Sequence, residues 1–172
     1  KTNDAMPDFV LNRIYEIMNE NGISDINKVG LYGLTYKEDV DDSKKESGVH
    51  RVEITMTCEN ELDYMLQVVP SSESGSCDLY LESDANNSDD AFSADKNLGM
   101  MLQEFSTVER EKKIVYYTSE NCVGLSVSLS LMAGFESKSY SYEIKFFVDG
   151  KETKTYGDEG TIDTVLQRMF NS

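Results

Sequence analysis

Residues 121–131 constrain the fold more than any other stretch. Val123, Leu125, Val127, Leu129 and Leu131 alternate there with Gly124, Ser126, Ser128 and Ser130. A period of two places the apolar set on one face of a β-strand. Such a strand suits an antiparallel sheet with one face on a core and the other toward water or a partner. Residues 49–58 repeat the pattern, with Val52, Ile54 and Met56 opposing Glu53, Thr55 and Thr57. Residues 64–69 read as the antiparallel partner of that strand, and 78–83 and 112–118 as further strands. Residues 140–148 and 151–156 flank Asp149-Gly150, a strong two-residue hairpin signal.

Helical spacing appears three times. Over 7–21, Val10, Ile14, Ile17 and Met18 share a face, Pro7 suits the first turn, Asp8 favours the N-terminus and Asn21-Gly22 supplies the stop. Over 95–105, Asp95 caps a stripe of Leu98, Met101, Leu102 and Phe105. Over 161–170, Ile162, Val165, Leu166 and Met169 line up. A buried-type strand over 29–36 follows the first helix, and 39–48 reads as a loop or a helix start. The expected architecture is α+β: a mainly antiparallel sheet with about three helices packed on it, preceded by a helix–strand unit. The expected division is 1–48 and 49–172, with one continuous domain as the alternative, and 172 residues are enough for a real core.

One stretch resembles a known family. Met6-Pro7, the helix after it, Gly30-Leu31-Tyr32-Gly33-Leu34-Thr35-Tyr36-Lys37, Val40-Asp41-Asp42 and Glu46-Ser47 resemble the UDP-sugar dehydrogenases where the chain enters their C-terminal, UDP-binding domain. These enzymes oxidise UDP-glucose or UDP-N-acetylmannosamine with NAD. The resemblance covers about residues 6–47 and implies that Tyr36 and Lys37 lie near a UDP-sugar, with Lys37 and Lys44 toward its pyrophosphate. Lys44 stands where the family has Arg, Lys45 is an extra residue, and Gly48 replaces a Pro. The dinucleotide-binding Gly-x-Gly-x-x-Gly and the catalytic cysteine segment are absent.

Charge points elsewhere. The formal net charge is -16, which repels nucleic acid over most of a surface. Between Arg51 and Lys96 no basic residue occurs, yet eleven acidic ones do, among them Glu59, Glu61, Asp63, Glu82, Asp84, Asp89 and Asp90. Folded domains normally mix the two signs. An acidic face centred on 53–95 would dock on a basic protein surface, that of a nucleic-acid-binding protein included, by taking the place of phosphates. Inhibitors, immunity proteins and nucleic-acid mimics share this character.

Chemistry-bearing motifs are few. Cys58, Cys77 and Cys122 are an odd number at wide spacing, which argues against a disulfide framework or a zinc site and for reduced thiols in a cytoplasmic protein. His50 is the single histidine, beside Arg51 and without a nucleophile motif, and reads as a surface or satisfied structural residue. Asp84, Asn86 and Ser88 have the opening spacing of a calcium loop, but Asp89 and Asp95 hold the places that an EF-hand gives to Gly and Glu. Lys112-Lys113 and Tyr116-Tyr117 suit an alternating strand as well as a nucleic-acid contact. No run of about 18 apolar residues occurs, so no membrane span is expected. The reading is a small acidic non-enzymatic interaction protein with no cofactor, metal or catalytic residue. The alternative is a UDP-sugar-binding module or fragment, alone or within a fusion.

Overall fold

The computed structural model describes residues 16, 35–42, 45–73, 75, 77–84, 96–133 and 136–163. These form one eight-stranded antiparallel sheet: β1 (Thr35–Asp41), β2 (His50–Ser71), β3 (Leu79–Asp84), β4 (Lys96–Gly99), β5 (Leu102–Thr118), β6 (Gly124–Met132), β7 (Lys138–Val148) and β8 (Lys151–Ile162). The sheet runs β1-β6-β2-β5-β3-β4, and β7 and β8 branch from β2.

β2 organises the whole. One of its edges pairs with β5 along nearly its full length. The other edge is shared: His50 to Thr57 pair with β7, and Asp63 to Ser71 pair with β6. The partner changes where β2 is irregular. Thr57 faces Glu111 but Glu61 faces Glu109, so β2 carries two extra residues there. Extra residues bend a strand and sharpen its twist, which opens the sheet into two branches. The shift is even, so the side-chain parity survives it. Val52, Ile54, Met56, Leu62, Tyr64, Leu66 and Val68 are all buried on one side of β2.

The sheet therefore curls into a half-barrel around one core. Val108, Ile114 and Tyr116 of β5, Leu125 to Leu131 of β6, and Tyr140 to Phe146 of β7 complete that core. Lys112 is buried among them, with its ammonium 5.4 Å from the centre of the Tyr64 ring, a cation–π contact. The branches meet again at their far ends. The Tyr156 hydroxyl donates to the Asp41 carbonyl at 3.1 Å. Tyr36 of β1 packs on Tyr140 of β7 with ring centres 4.8 Å apart. Gly157 marks how closely β8 lies on β7: a Cβ there would sit 2.9 Å from the backbone oxygen of Tyr142. Gly157→Ala is expected to cost about 1–3 kcal/mol, as overpacking does. A urea midpoint equal to the parent's would show that β8 gives way freely.

Several expectations are corrected. The described residues contain no packed helices, so the fold is all-β and not α+β. The stripe expected as a helix over 95–105 belongs to β4, a turn at Gly99 (φ +83) and the start of β5. The start of the expected last helix, Thr161 and Ile162, ends β8, and 164–172 lie outside the described residues. The expected first helix lies outside them too, apart from Glu16. Residues 49–58 and 64–69 are not two paired strands but one continuous strand, because 58–60 form a bulge and not a turn. Residues 39–41 are strand and not loop. Cys77 and Cys122 form a disulfide with Cα atoms 5.5 Å apart, which overturns the expectation of three reduced thiols, and Cys58 is free. The Asp149-Gly150 hairpin is present, with both residues at positive φ (47° and 85°) as a type I′ turn requires.

Candidate functional site

The fork in the sheet leaves a groove of about 420 Å³ on the molecular surface, lined by Asn60, Glu61, Glu109, Arg110, Glu136 and Lys138. Its geometry follows from the bulge. Asn60 lies in the bulge of β2 and Glu61 is the first paired residue after it, Glu109 and Arg110 lie opposite on β5, Glu136 precedes β7, and Lys138 begins it at the mouth of the branch. Arg110 sits at φ 75°, a left-handed conformation uncommon for a residue with a Cβ. Such outliers persist where the surrounding structure over-determines them.

The groove is acidic. Glu61 and Glu109 stand directly across from each other on adjacent strands, a like-charged arrangement that costs stability. Glu59, Glu61 and Glu109 are exposed, and among the described residues they make no ion pair. Several cations are paired with other carboxylates, and one of these pairs, Lys138 with Glu136, lies in the groove itself. Arg51 pairs with Glu82 and with Glu53 (3.1 Å), Lys113 with Glu53 (3.8 Å), Lys145 with Glu143 (3.8 Å), and Lys138 with Glu136 (3.8 Å).

The acidic residues singled out from the sequence are only partly brought together. Glu59 and Glu61 are at the fork, with Asp63 beside them, half-buried and accepting from the Thr107 hydroxyl at 2.8 Å. Glu82 is bound to Arg51, ten residues before Glu61 along β2 and on the far side of the bulge. Asp84 ends β3, and Asp89 and Asp90 lie outside the described residues, as does the loop considered for calcium. Sequence reading missed Glu109, Arg110, Glu136 and Lys138. The charged triplet Glu109-Arg110-Glu111, breaking an otherwise alternating strand just as Glu59-Asn60-Glu61 breaks β2, is the signal that marks them.

The residues tied to the UDP-sugar resemblance fall differently. Tyr36 and Lys37 are neighbours on β1, so their side chains leave opposite faces of the sheet. Lys37 is exposed and 3.8 Å from Asp39. Tyr36 is half-buried, with its hydroxyl 3.0 Å from that of Tyr142, which donates to Glu38 at 2.6 Å. Burial, with Glu38 and Asp158 nearby, pushes the Tyr36 phenol up despite its bond to Tyr142. Burial and then the charge of Asp158 push Tyr140 up to about 12, and burial with the Glu38 bond raises Tyr142 as well. All three therefore stay protonated near neutral pH: the Tyr36 and Tyr142 hydroxyls tie β1 to β7, and the Tyr140 hydroxyl donates to Asp158 of β8 at 3.4 Å. Lys44 lies outside the described residues.

His50 is buried and fully bonded. Its Nδ1 meets the Asp42 carboxylate, its Nε2 lies 2.9 Å from the Glu46 carbonyl, and its backbone N–H donates to the Thr118 hydroxyl at 2.9 Å. No ring nitrogen is left for a nucleophile. Among the described residues no group of three or more His, Cys, Asp or Glu side chains could hold a metal ion. Lys112 and Tyr116 point into the core while Lys113 and Tyr117 point outward, so the Lys-Lys and Tyr-Tyr pairs do not form one surface. Tyr117 instead stacks on Tyr80 with ring centres 5.1 Å apart.

No family model matches the chain, and no curated protein does. Among solved structures the chain is similar to a DUF4425 family protein from Bacteroides ovatus. The identity is 16%, over 69% of this chain and 88% of that one, with a TM-score of 0.53. This is a likeness of fold alone. A structure from Francisella tularensis aligns at 10% identity over 64% of this chain and 66% of that one, with a TM-score of 0.19, too low to carry an argument.

Proposed function

We propose that the chain is a non-catalytic docking protein whose acidic groove at the sheet fork receives a basic protein surface. One observation carries the reading: Glu59, Glu61 and Glu109 gather at the bulge, exposed and without an ion pair among the described residues, while Arg51, Lys113 and Lys145 are paired with other carboxylates. A cationic side chain set between Glu61 and Glu109 relieves their mutual repulsion, which gives the bound state an advantage beyond simple contact. Paired potentials of this kind raise association rates and make binding fall with salt.

The probe is a lysine-rich decapeptide, with binding followed by fluorescence anisotropy at low and high salt. The triple variant Glu59→Gln/Glu61→Gln/Glu109→Gln is expected to weaken binding about tenfold. That corresponds to about 0.5 kcal/mol for each exposed pair. A Glu152→Gln/Glu159→Gln control removes two exposed charges from β8 and should change affinity far less. Equal losses per charge removed (three against two) would mean that only overall charge is sensed, and the groove would have no special role. A rise in melting temperature with millimolar UDP-glucose, absent with the peptide, would favour the nucleotide-sugar reading instead.

A further inference from the structure

The residues before β2 are held by a device that the docking reading does not use. His50 is wholly buried, and both its ring nitrogens face acceptors: a carboxylate oxygen of Asp42 and the carbonyl oxygen of Glu46. A neutral imidazole has one N–H and satisfies only one of them; an imidazolium satisfies both. The surroundings agree. From the end of β1 comes Asp42, itself 2% exposed, whose backbone N–H donates to the Leu125 carbonyl of β6 at 3.3 Å. From the β7–β8 turn comes the charge of Asp149, and from β5 the neutral hydroxyl of Thr118. Burial alone disfavours the charged ring, but these hydrogen bonds and negative charges outweigh it and hold the His50 pKa above the ordinary 6.5.

The same short stretch is stitched to two other elements. The Gly48 N–H donates to the carbonyl of Cys122 at 3.1 Å, the Val49 N–H to the Asp149 carboxylate at 3.0 Å, and the Asp149 N–H returns to the Val49 carbonyl at 3.0 Å. A Cβ on Gly48 would lie 2.7 Å from the Asp149 carboxylate, so the contact is close.

We infer that the His50–Asp42 pair is a pH-operated clasp: the protonated ring holds residues 45–49 against Cys122 and the β7–β8 turn, and loss of its proton releases them. Release breaks the bond to Glu46 and ends the charge attraction to Asp42. It also bares the backbone of Cys122, one half of the Cys77–Cys122 disulfide. The rest of the sheet stays formed, because β2 keeps its ladders to β5, β6 and β7.

Amide hydrogen exchange by NMR between pH 5.5 and 8.5, corrected for intrinsic rates, tests this on the unaltered chain. The Gly48 and Asp149 amides should lose protection about tenfold or more, the size of one charge-assisted hydrogen bond. The midpoint should coincide with the titration of the His50 ring, read from its Cε1 proton. Ile144, in the centre of β7, should change little. Asp149→Asn should move that midpoint to lower pH, since it removes one of the negative charges that favour the cation. Constant protection of Gly48 through the ring titration overturns the clasp. So does a parallel fall at Gly48 and Ile144, which reports global unfolding.

Discussion

Replacing Cys77 and Cys122 with serine is expected to lower the free energy of unfolding by about 4 kcal/mol. The two residues are 45 apart in sequence, and closing a loop of that length removes about that much conformational freedom from the unfolded chain. For a domain of this size the melting temperature should fall by roughly 10 °C. Both cysteines are buried, at 5% and 0% exposure, so the serine hydroxyls would add a cost of their own. Reducing agent added to the parent protein isolates the cross-link from that cost. Cys58→Ser serves as the control, because Cys58 is free and only partly buried. An unfolding midpoint insensitive to reductant would show that the disulfide contributes nothing to the fold.

Asp42→Ala is the second large effect, expected at about 3–5 kcal/mol near pH 6. Removing one member of a buried ion pair leaves the other charge without compensation. Here that charge is His50, wholly inside the protein and bonded to Asp42 in the parent. The pH dependence gives the sign. The folded His50 pKa is raised above its unfolded value, so the native state retains a proton that the unfolded chain releases. The resulting stability is complete below about pH 6.5 and is lost as pH rises through the folded value. The parent should therefore be more stable at pH 6 than at pH 8.5, as measured by urea midpoints. In Asp42→Ala the ring has lost its anion and its pKa falls, so this advantage at pH 6 should vanish or reverse. A parent protein equally stable at both pH values would refute the buried cation.

Much of the sheet was legible because alternation is a local property. Leu125, Val127, Leu129 and Leu131 are buried as their spacing required, although Ser130 on the other face is buried too, and the Asp149-Gly150 turn has the geometry that those two residues favour. The misread segments share one cause: a short polar or small run that two structures can explain. Glu59-Asn60-Glu61 looks like a hairpin turn, yet it is a bulge in a strand of 22 residues. Leu98, Met101, Leu102 and Phe105 fit a helical stripe, but Met101 and Phe105 are exposed on the strand side of a turn. Alternation over Leu102, Glu104, Ser106 and Val108 was the competing pattern, weakened by its two polar members. The candidate groove was half visible, through Glu59 and Glu61. Its other wall comes from β5, and only the pairing of Glu61 with Glu109 brings the two together. The partnerships Cys77–Cys122 and Asp42–His50 belong to tertiary structure, and nothing in the local sequence announces them.

The central place of β2 also sets the order of events when the chain is made. Residues 50–71 emerge from the ribosome before every strand they pair with, since β5, β6 and β7 all lie downstream between residues 102 and 148. Sheets built from such distant contacts close in milliseconds to seconds, and until then an unpaired apolar strand invites association with its neighbours. β2 carries its own protection through that interval: Glu53, Glu59, Glu61 and Asp63 interrupt its apolar run with charges of one sign. The carboxylates that line the finished surface thus have an earlier task, keeping nascent chains apart while the middle of the sheet waits for its edges.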